Sequence, residues 1–289
     1  MNKNTYGASL LITIGLLAVG SAHATPVSLS SLGSAYTQDF NTLGNTANTT
    51  TNTSLPVGWV LDESGGGARD NDQYAVDTGG SNTGDIYSYG AAGSTERALG
   101  SLRSGTLIPS FGAEFSNKTG ATITSLDIAF IGEQWRLGVV NRTDRLAFQY
   151  STNATALGTG TFLDFSALDF VTPDTVGQGA KDGNAVGNFT AVSATITGLN
   201  IAANTSFWIR WTDIDATGSD DGLAIDNFSL TARGVLGEAP LSVPEPGSLA
   251  LASLALLGLL TTRRRNGALA QWLELIRAIP TSPWWRGAK

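Results

Sequence analysis

Short runs of β-branched and aromatic residues, separated by segments rich in Gly, Ser, Thr and Asn, constrain the fold of this chain more than any other feature of its sequence. Away from the two ends, no stretch shows the 3.6-residue hydrophobic period of an amphipathic helix. Several runs instead alternate apolar residues with polar or small ones, which is the period of a β-strand with one buried face. The central part of the chain is therefore predicted to be all-β.

Nine runs have the length and the pattern of strands, and turn-forming residues bound them. They are residues 36–41, 58–62, 85–89, 110–116, 122–131, 145–151, 189–197, 206–213 and 223–231. So many short strands in one domain favour two antiparallel sheets packed face to face, as in a jelly-roll-like β-sandwich. One pair of segments is similar in sequence, ATITSLDI at 121–128 and ATITGLNI at 194–201. This internal similarity is interpreted as two strands of similar role or as chance.

The first 24 residues are predicted to be a signal peptide that the cell removes. Lys3 supplies a positive charge, residues 10–19 form an apolar core, and Ala22 and Ala24 form a small-x-small cleavage site. This apolar core has about ten residues, whereas a membrane span needs about 20. We therefore expect a short signal helix, cleavage after Ala24, and delivery of the remaining chain by the export machinery.

The other end of the chain has the order of a membrane-anchored tail with a positive stop. It consists of Val243, Pro244, Glu245 and Pro246, then an apolar stretch at 249–260, then Arg263, Arg264 and Arg265. A helix over 247–262 measures about 24 Å, which is short of the roughly 30 Å hydrocarbon core and suits a temporary anchor. The arginines stay in the cytoplasm, which places the preceding domain on the periplasmic side of the inner membrane.

This order resembles the PEP-CTERM sorting signal of Gram-negative bacteria, in which a Val-Pro-Glu-Pro box, a short hydrophobic helix and an arginine cluster direct a protein to an exosortase. The resemblance covers residues 243–265 and implies transient anchoring, exosortase processing, and delivery to the cell surface or the extracellular space. One departure is that the chain continues over 266–289, whereas such signals usually stop soon after the arginines. This extension is interpreted either as an amphipathic helix on the inner membrane surface or as a meaningless addition.

The chain is thereby divided into five segments. They are the signal peptide at 1–24, a β-sandwich ectodomain at 25–233, a stalk at 234–242, the sorting signal at 243–265 and the atypical extension at 266–289. The stalk is placed where the chain loses its aromatic residues and gains Pro240.

Charge and composition exclude several classes of function for the exported part. Residues 25–243 contain ten Lys and Arg against 22 Asp and Glu, a net charge near −12, compared with −7 for the whole chain. A surface this acidic repels phosphate backbones, so no nucleic-acid binding is expected. The single histidine is His23, in the predicted signal peptide, and the chain has no cysteine. Ser-His-Asp and Cys-His catalysis, Cys/His zinc sites and disulfides are therefore excluded.

Two segments resemble the first and last strands of secreted jelly-roll modules, among them MAM-like and carbohydrate-binding modules. They are QDFNTLG, which starts at Gln38, and DDGLAIDNFSL, which starts at Asp220. This resemblance implies a sandwich in which the terminal strands pair and nearby acidic residues hold a structural calcium ion.

An acidic segment ahead of the last predicted strand is a candidate calcium site. Its carboxylates belong to Asp213, Asp215, Asp220 and Asp221, and Asp226 follows on the strand itself. Calcium binds six to eight oxygen ligands, which a tight Gly-containing loop can supply. Asp226 shares a strand face with large apolar residues and so needs a cation or hydrogen-bond donors, while Asp39 completes the site if the terminal strands are neighbours. The alternative is a solvated acidic turn, with Arg210 or a backbone amide as the partner of Asp226.

Glu133, Trp135 and Arg136 form a candidate glycan-binding group at the end of a predicted strand. A carboxylate, an aromatic ring and a guanidinium can together stack on a sugar and hydrogen-bond to it. The competing interpretation places Trp135 in the core. No glutamate belongs to a recognisable glycosidase signature. The sequence favours a non-catalytic exported protein of the cell surface or extracellular matrix, structural or weakly binding to polysaccharide, with a carboxylate-based glycan hydrolase as the alternative.

Overall fold

Strand follows strand through the part of the chain that the computed structural model describes, residues 25–47 and 52–235. These residues contain fifteen strands and one 3-10 helix at Ser166–Leu168. The strands are β1 (Val27–Leu29), β2 (Ala35–Gln38), β3 (Trp59–Ser64), β4 (Tyr74–Asp77), β5 (Asp85–Tyr89), β6 (Ala98–Leu102), β7 (Ile108–Asn117), β8 (Thr122–Leu137), β9 (Arg145–Ser151), β10 (Leu163–Asp164), β11 (Phe170–Val171), β12 (Gly179–Ala180), β13 (Phe189–Ile196), β14 (Ser206–Asp213) and β15 (Gly222–Val235). Over the same residues, no helix is long and apolar enough to cross a membrane.

The strands form two sheets that enclose a common core as a β-sandwich. Sheet A has the order β1-β7-β14-β9-β10, with β3 also paired to β7 and β11 to β9. Sheet B has the order β12-β8-β15-β6-β5-β4, with β13 also paired to β8 and β2 to β15. The pairs are antiparallel except β1 with β7 and β4 with β5. The predicted all-β sandwich is confirmed.

Alternation along single strands explains which face of each sheet is buried. On β14, Phe207, Ile209 and Trp211 are at most 1% exposed, whereas Arg210 and Thr212, on either side of Trp211, are partly exposed. A slip of one residue in the register would place Arg210 in the core and Trp211 in water. The hydrophobic pattern of the sequence therefore fixes the pairing of this strand with β7 and β9.

Trp211 lies at the centre of the core and joins the two sheets. It contacts five aromatic rings, with centroid distances from 5.1 to 6.2 Å, on Trp59, Phe111, Phe130, Phe148 and Phe228. Phe130 lies on β8 and Phe228 on β15, both in sheet B, and they meet Trp211 edge-on. Edge-to-face pairs stabilise a core by more than their buried area alone. These six aromatic residues thus pack between the two sheets.

The two longest strands, β8 and β15, pair along most of their length and form the middle of sheet B. Their register shifts between Asp226 and Ser229, where β15 forms a bulge. On its other side β15 pairs first with β6 and then with β2. The bulge, the end of β2 and the chain entering β6 therefore come together at one place.

Several predicted segments lie outside the described residues. These are the signal peptide at 1–24, the sorting signal at 243–265, both predicted terminal helices, and the extension at 266–289. β15 continues to Val235, two residues into the segment predicted as a stalk. Every described residue belongs to one compact unit, Met1–Gly237.

Candidate functional site

Three carboxylates that are distant in sequence converge beside the bulge of β15. They belong to Glu96, Glu133 and Asp226, and one oxygen from each lies within 4.8 Å of the others. Glu133 lies on β8, Asp226 on the neighbouring β15, and Glu96 in the loop that precedes β6. Glu133 is 2% exposed and Asp226 is 4% exposed, while Glu96 is half-buried. We call these three residues the carboxylate cluster.

Glu133 is held in place by Trp135, two residues further along β8. The Trp135 Nε1 donates a hydrogen bond of 2.9 Å to the Glu133 Oε2. Burial raises the pKa of Glu133 to about 8, the Trp135 hydrogen bond opposes that rise, and the charges of Asp226, Glu96 and Asp182 add to it. Without a bound cation, Glu133 would thus be largely protonated near neutral pH.

Asp226 stands next to a residue with an unusual backbone conformation. Asn227 has φ of 50°, in the left-handed region that Asn tolerates better than most residues, and its Nδ2 donates 2.9 Å to the Asp226 Oδ2. The Asp226 Oδ1 is buried without a hydrogen-bond partner among the described residues. Burial raises the pKa of Asp226 to about 7, and the charges of Glu96 and Asp39 contribute. The free oxygen points to a ligand that the protein itself does not supply.

Glu96 brings the third carboxylate and a second free oxygen. The Asn184 Nδ2 donates 2.6 Å to its Oε2, whereas its Oε1 is buried without a partner among the described residues. The guanidinium of Arg97, the next residue, donates to the hydroxyl and the carbonyl of Ser88. Over the described ranges, no ion pair involves any member of the carboxylate cluster.

This donor set fits a hard divalent cation. Two buried carboxylates and a half-buried one at such short separations repel one another unless protons or a cation offset their charge. Calcium binds oxygen at about 2.3–2.6 Å, so oxygens on opposite sides of one ion lie roughly 4.6–5.2 Å apart, and the observed separations allow one ion to contact all three residues. Zinc and copper prefer imidazole and thiolate ligands, which residues 25–289 do not contain.

Asp39 lies close to the carboxylate cluster without belonging to it. The strand before it, β2, pairs with β15, with Gln38 opposite Phe228, so an early strand and the last strand are neighbours as predicted. A surface cavity of about 300 Å³ is lined by residues of these two strands, including Asp39 and Asn227. The Asp39 charge raises the pKa of Asp226. Asp39 is therefore placed to affect the cluster electrostatically.

The acidic segment before β15 is organised differently from either sequence-based interpretation. Asp213, Asp220 and Asp221 are buried, and only Asp215 is exposed. The carboxylate of Asp221 accepts bonds from the Gly138 amide at 2.7 Å, from the Thr172 hydroxyl at 2.6 Å and from Arg142 at 3.1 Å. These donors come from distant loops, which the local sequence does not reveal.

Asp213 and Asp220 also have protein partners. The Ser101 hydroxyl donates 3.0 Å to the Asp213 Oδ2, and the Ala216 amide donates 2.9 Å to Asp220. In the described part of the chain, the carboxylate cluster is the one group with metal-ligand spacing, and of the predicted ligands it contains only Asp226. The structure therefore does not bring Asp226 together with Asp213, Asp215, Asp220 and Asp221. Arg210 is not the partner of Asp226 either, because Arg210 lies in sheet A.

The predicted glycan-binding group lies in the last five residues of β8, near the end of the strand as predicted. Trp135 is 2% exposed and stacks on Tyr89 with a centroid distance of 6.0 Å, so it is a core residue with no face open to a sugar. The Arg136 Nη1 donates to the carbonyl oxygens of Gly79 and Gly80. Sequence cannot distinguish a strand aromatic that faces a second layer from one that faces solvent.

A transverse row of outward-facing polar groups crosses sheet A, and sequence reasoning did not single it out. The strand registers align Gly112, Arg210, Gln149 and Asp164. The Arg210 Nε donates 2.7 Å to Gln149, and the Gln149 Nε2 donates 2.6 Å to Asp164. The guanidinium carbon of Arg210 lies 3.8 Å from the ring centre of Phe162. We call Arg210, Gln149, Asp164 and Phe162 the polar row.

The C-terminal segment and the fold together define the class of this protein, an exported β-sandwich with a sorting tail. Residues 242–265 match the family model described as the PEP-CTERM protein-sorting motif. The chain therefore carries a PEP-CTERM sorting signal, as its sequence predicted. No curated protein matches the chain.

Solved structures show similarity at low identity. The CBM22-1 xylan-binding domain from Paenibacillus barcinonensis Xyn10C is 11% identical with a TM-score of 0.34, over 72% of this chain and 99% of that one. The family 11 carbohydrate-binding module from Clostridium thermocellum is 11% identical with a TM-score of 0.33, over 62% and 91%. The K3 cleaved adhesin domain of Lys-gingipain from Porphyromonas gingivalis is 12% identical with a TM-score of 0.30, over 50% and 78%.

Proposed function

We propose that this chain is a non-catalytic, exported β-sandwich protein that an exosortase processes, and that its domain is stabilised by a calcium ion bound at Glu96, Glu133 and Asp226. The sorting motif supports the export route. The observation that carries the calcium site is the convergence of three carboxylates with two buried oxygens that lack protein donors. Calcium supplies the missing positive charge and uses the oxygens that the protein leaves free.

A stabilising ion also suits the composition of the exported part. It has no cysteine for disulfides and a net charge near −12, so self-repulsion opposes the compact state. An ion that binds only the folded domain raises its stability by about 2.7 kcal/mol at a hundredfold excess over Kd. For a domain of this size that corresponds to a rise in Tm of about 5–10 °C.

The test is thermal unfolding of residues 25–237 with calcium and with a chelator. We expect calcium to raise the Tm of the wild-type domain and to have no effect on Glu133→Gln. This variant keeps an oxygen to accept the Trp135 hydrogen bond and removes only the charge. In the absence of metal it should unfold at a higher temperature than wild type near neutral pH, because the buried Glu133 carboxyl must take up a proton on folding, whereas glutamine is neutral in both states.

Asp215→Asn is the matched control, because it removes one negative charge from an exposed residue that lies outside the carboxylate cluster. Its calcium response should equal that of wild type. An unchanged melting curve of the wild-type domain after chelation, with no metal carried through purification, would refute the calcium site.

The surface that best supports weak polysaccharide binding is the polar row on sheet A. Its guanidinium, amide and carboxylate groups are planar hydrogen-bonding partners for sugar hydroxyls, and Phe162 adds an aromatic ring beside them. Hydrolysis has less structural support, because Glu133 and Asp226 are nearly fully buried and leave no space for a sugar ring between them.

A glycan array combined with a reducing-sugar assay tests this part of the proposal. We expect binding without product release, and we expect Arg210→Ala to weaken binding at least about fivefold through the loss of a charged hydrogen-bond donor. Arg145→Ala is the control, since Arg145 is an exposed arginine of the same sheet that pairs with Asp169. Release of reducing sugar that Glu133→Gln abolishes would instead support the hydrolase alternative.

A further inference from the structure

The edge of sheet B at β13 is the longest unpaired strand edge in the described part of the chain. β13 runs over eight residues, Phe189–Ile196, and pairs with β8 from Phe189 opposite Glu133 to Ile196 opposite Leu126 without a register shift. Among the described residues, no strand pairs with its other edge. The strand is regular and has no bulge. Seven of its eight side chains are exposed or partly exposed, among them Phe189, which is 40% exposed.

This edge lacks the features that usually prevent edge-to-edge association. Proteins protect open strand edges with charged residues, prolines, bulges or very short strands. The other outer strands follow that rule: β3 carries Asp62 and Glu63, β4 has four residues and ends at Asp77, and β10 has two residues. The sequence of β13, FTAVSATI, contains no charge and no proline.

Hydrogen bonding to β8 determines which backbone groups of β13 point outward. The Gln134 amide donates 2.8 Å to the Asn188 carbonyl, just before the strand begins. Since bonding direction alternates along an antiparallel strand, the even-numbered residues of β13 bond to β8. The backbone groups that point away from β8 are those of Phe189, Ala191, Ser193 and Thr195.

We infer that β13 is a dimerisation edge, at which a second copy of this chain pairs its own β13 antiparallel about a two-fold axis through Val192. Only this family of registers places outward-pointing residues opposite each other, with Ala191 of one copy facing Ser193 of the other. Phe189 then faces Thr195, an aromatic residue beside a β-branched one, which is a favourable cross-strand pair. The two B sheets join into one continuous sheet.

Self-complementarity is the reason for choosing a second copy as the occupant. The pairing is neutral along its whole length, so two domains of net charge near −12 can meet there without opposed charges. The carboxylate next to the edge is already compensated, because Asp127 pairs with Arg233 at 2.8 Å and accepts a hydrogen bond of 2.8 Å from Thr195. A charged partner would find no complementary group on β13.

Sedimentation analysis of residues 25–237 with the Ser193→Pro variant tests this inference. Proline at 193 removes an outward amide and leaves the ladder to β8 intact, so the variant should fold with an unchanged circular dichroism spectrum. We expect a concentration-dependent dimer for wild type and at least about a tenfold weaker dimer for Ser193→Pro, since two inter-copy hydrogen bonds are lost. Ser193→Ala keeps the amide and should dimerise like wild type.

A cysteine at the two-fold axis gives a second readout that does not depend on the proline variant. The chain has no cysteine, so in Val192→Cys the only thiols are the two at the axis. Their Cα atoms lie about 4.5 Å apart in the proposed pairing, a separation that a disulfide spans. Val186→Cys, at a residue 96% exposed in a loop, is the control and should not cross-link rapidly. A wild-type domain that stays monomeric at high concentration, or a dimer that Ser193→Pro leaves unchanged, would overturn the inference.

Discussion

Individual residues of the carboxylate cluster were visible in the sequence, but their association was not. Asp226 was singled out because it lies on an apolar strand face, and its burial agrees with that reasoning. Glu133 was predicted to have a different role, in glycan binding, and Glu96 was not predicted as a ligand. The three residues are separated by 37 and 93 positions. Only the pairing of β8 with β15, and the path of the chain into β6, brings them together.

The raised pKa values within this cluster predict how pH affects the metal-free domain. Glu133 has a pKa of about 8 and Asp226 of about 7 when folded, against about 4 in an unfolded chain. The folded state therefore holds protons that the unfolded state has released. Their stabilising contribution is complete below about pH 4 and is lost as pH rises through 7 and 8. Each group contributes a slope of up to about 1.4 kcal/mol per pH unit.

Unfolding in chelator between pH 5.5 and 8 measures this effect. Other buried carboxyl groups titrate too, so the informative quantity is the difference between wild type and Glu133→Gln, which should lose less stability as pH rises. With calcium, the wild-type domain should lose less stability as pH rises, because the ion replaces the protons on the cluster. The affinity of the wild-type domain for calcium should increase toward pH 8. Equal pH dependence of the two metal-free proteins would contradict the burial of a protonated Glu133.

At the scale of single elements, the predicted strands agree with the structure where alternation or β-branched runs mark them. Each of the nine predicted segments overlaps a strand of the sandwich. β4 and β6 were missed because their residues are buried on both faces or nearly so, which removes the period-2 pattern. β8 continues to Leu137, beyond its predicted end at residue 131, because residues 132–137 are covered on both sides.

The internal similarity in the sequence has a structural counterpart. Residues 121–128 and 194–201 lie side by side, since β13 pairs antiparallel with β8 and Ile123 forms an isolated bridge with Ile201. The two similar segments are thus neighbours in the structure. Burial nonetheless differs, because β8 is covered by strands on both sides while β13 has one strand neighbour among the described residues. Similar sequences here occupy a central and an edge position.

For the whole molecule, the export route predicts a defined mature form. Cleavage after Ala24 and removal of the sorting signal should leave a secreted protein that begins at Thr25 and ends before Arg263. Intact mass spectrometry of material from the culture medium and the cell surface measures both ends. Changing Arg263, Arg264 and Arg265 to Gln should impair sorting, whereas changing Arg277 and Arg286 should not. Extracellular protein that retains the three arginines would contradict exosortase processing.

By itself, the sequence determined the fold class and the sorting motif, and it predicted a signal peptide and, with its removal, the absence of histidine and cysteine chemistry from the remaining chain. These properties depend on local patterns, namely strand periodicity, the spacing of small residues at the cleavage site and the ordered parts of the sorting motif. Only the tertiary structure decided that Glu96 and Glu133 join Asp226, that Trp135 packs inside and that β13 lies at an edge. Such contacts join residues that chain connectivity leaves far apart, and they are set by sheet order and register, which local sequence patterns do not specify.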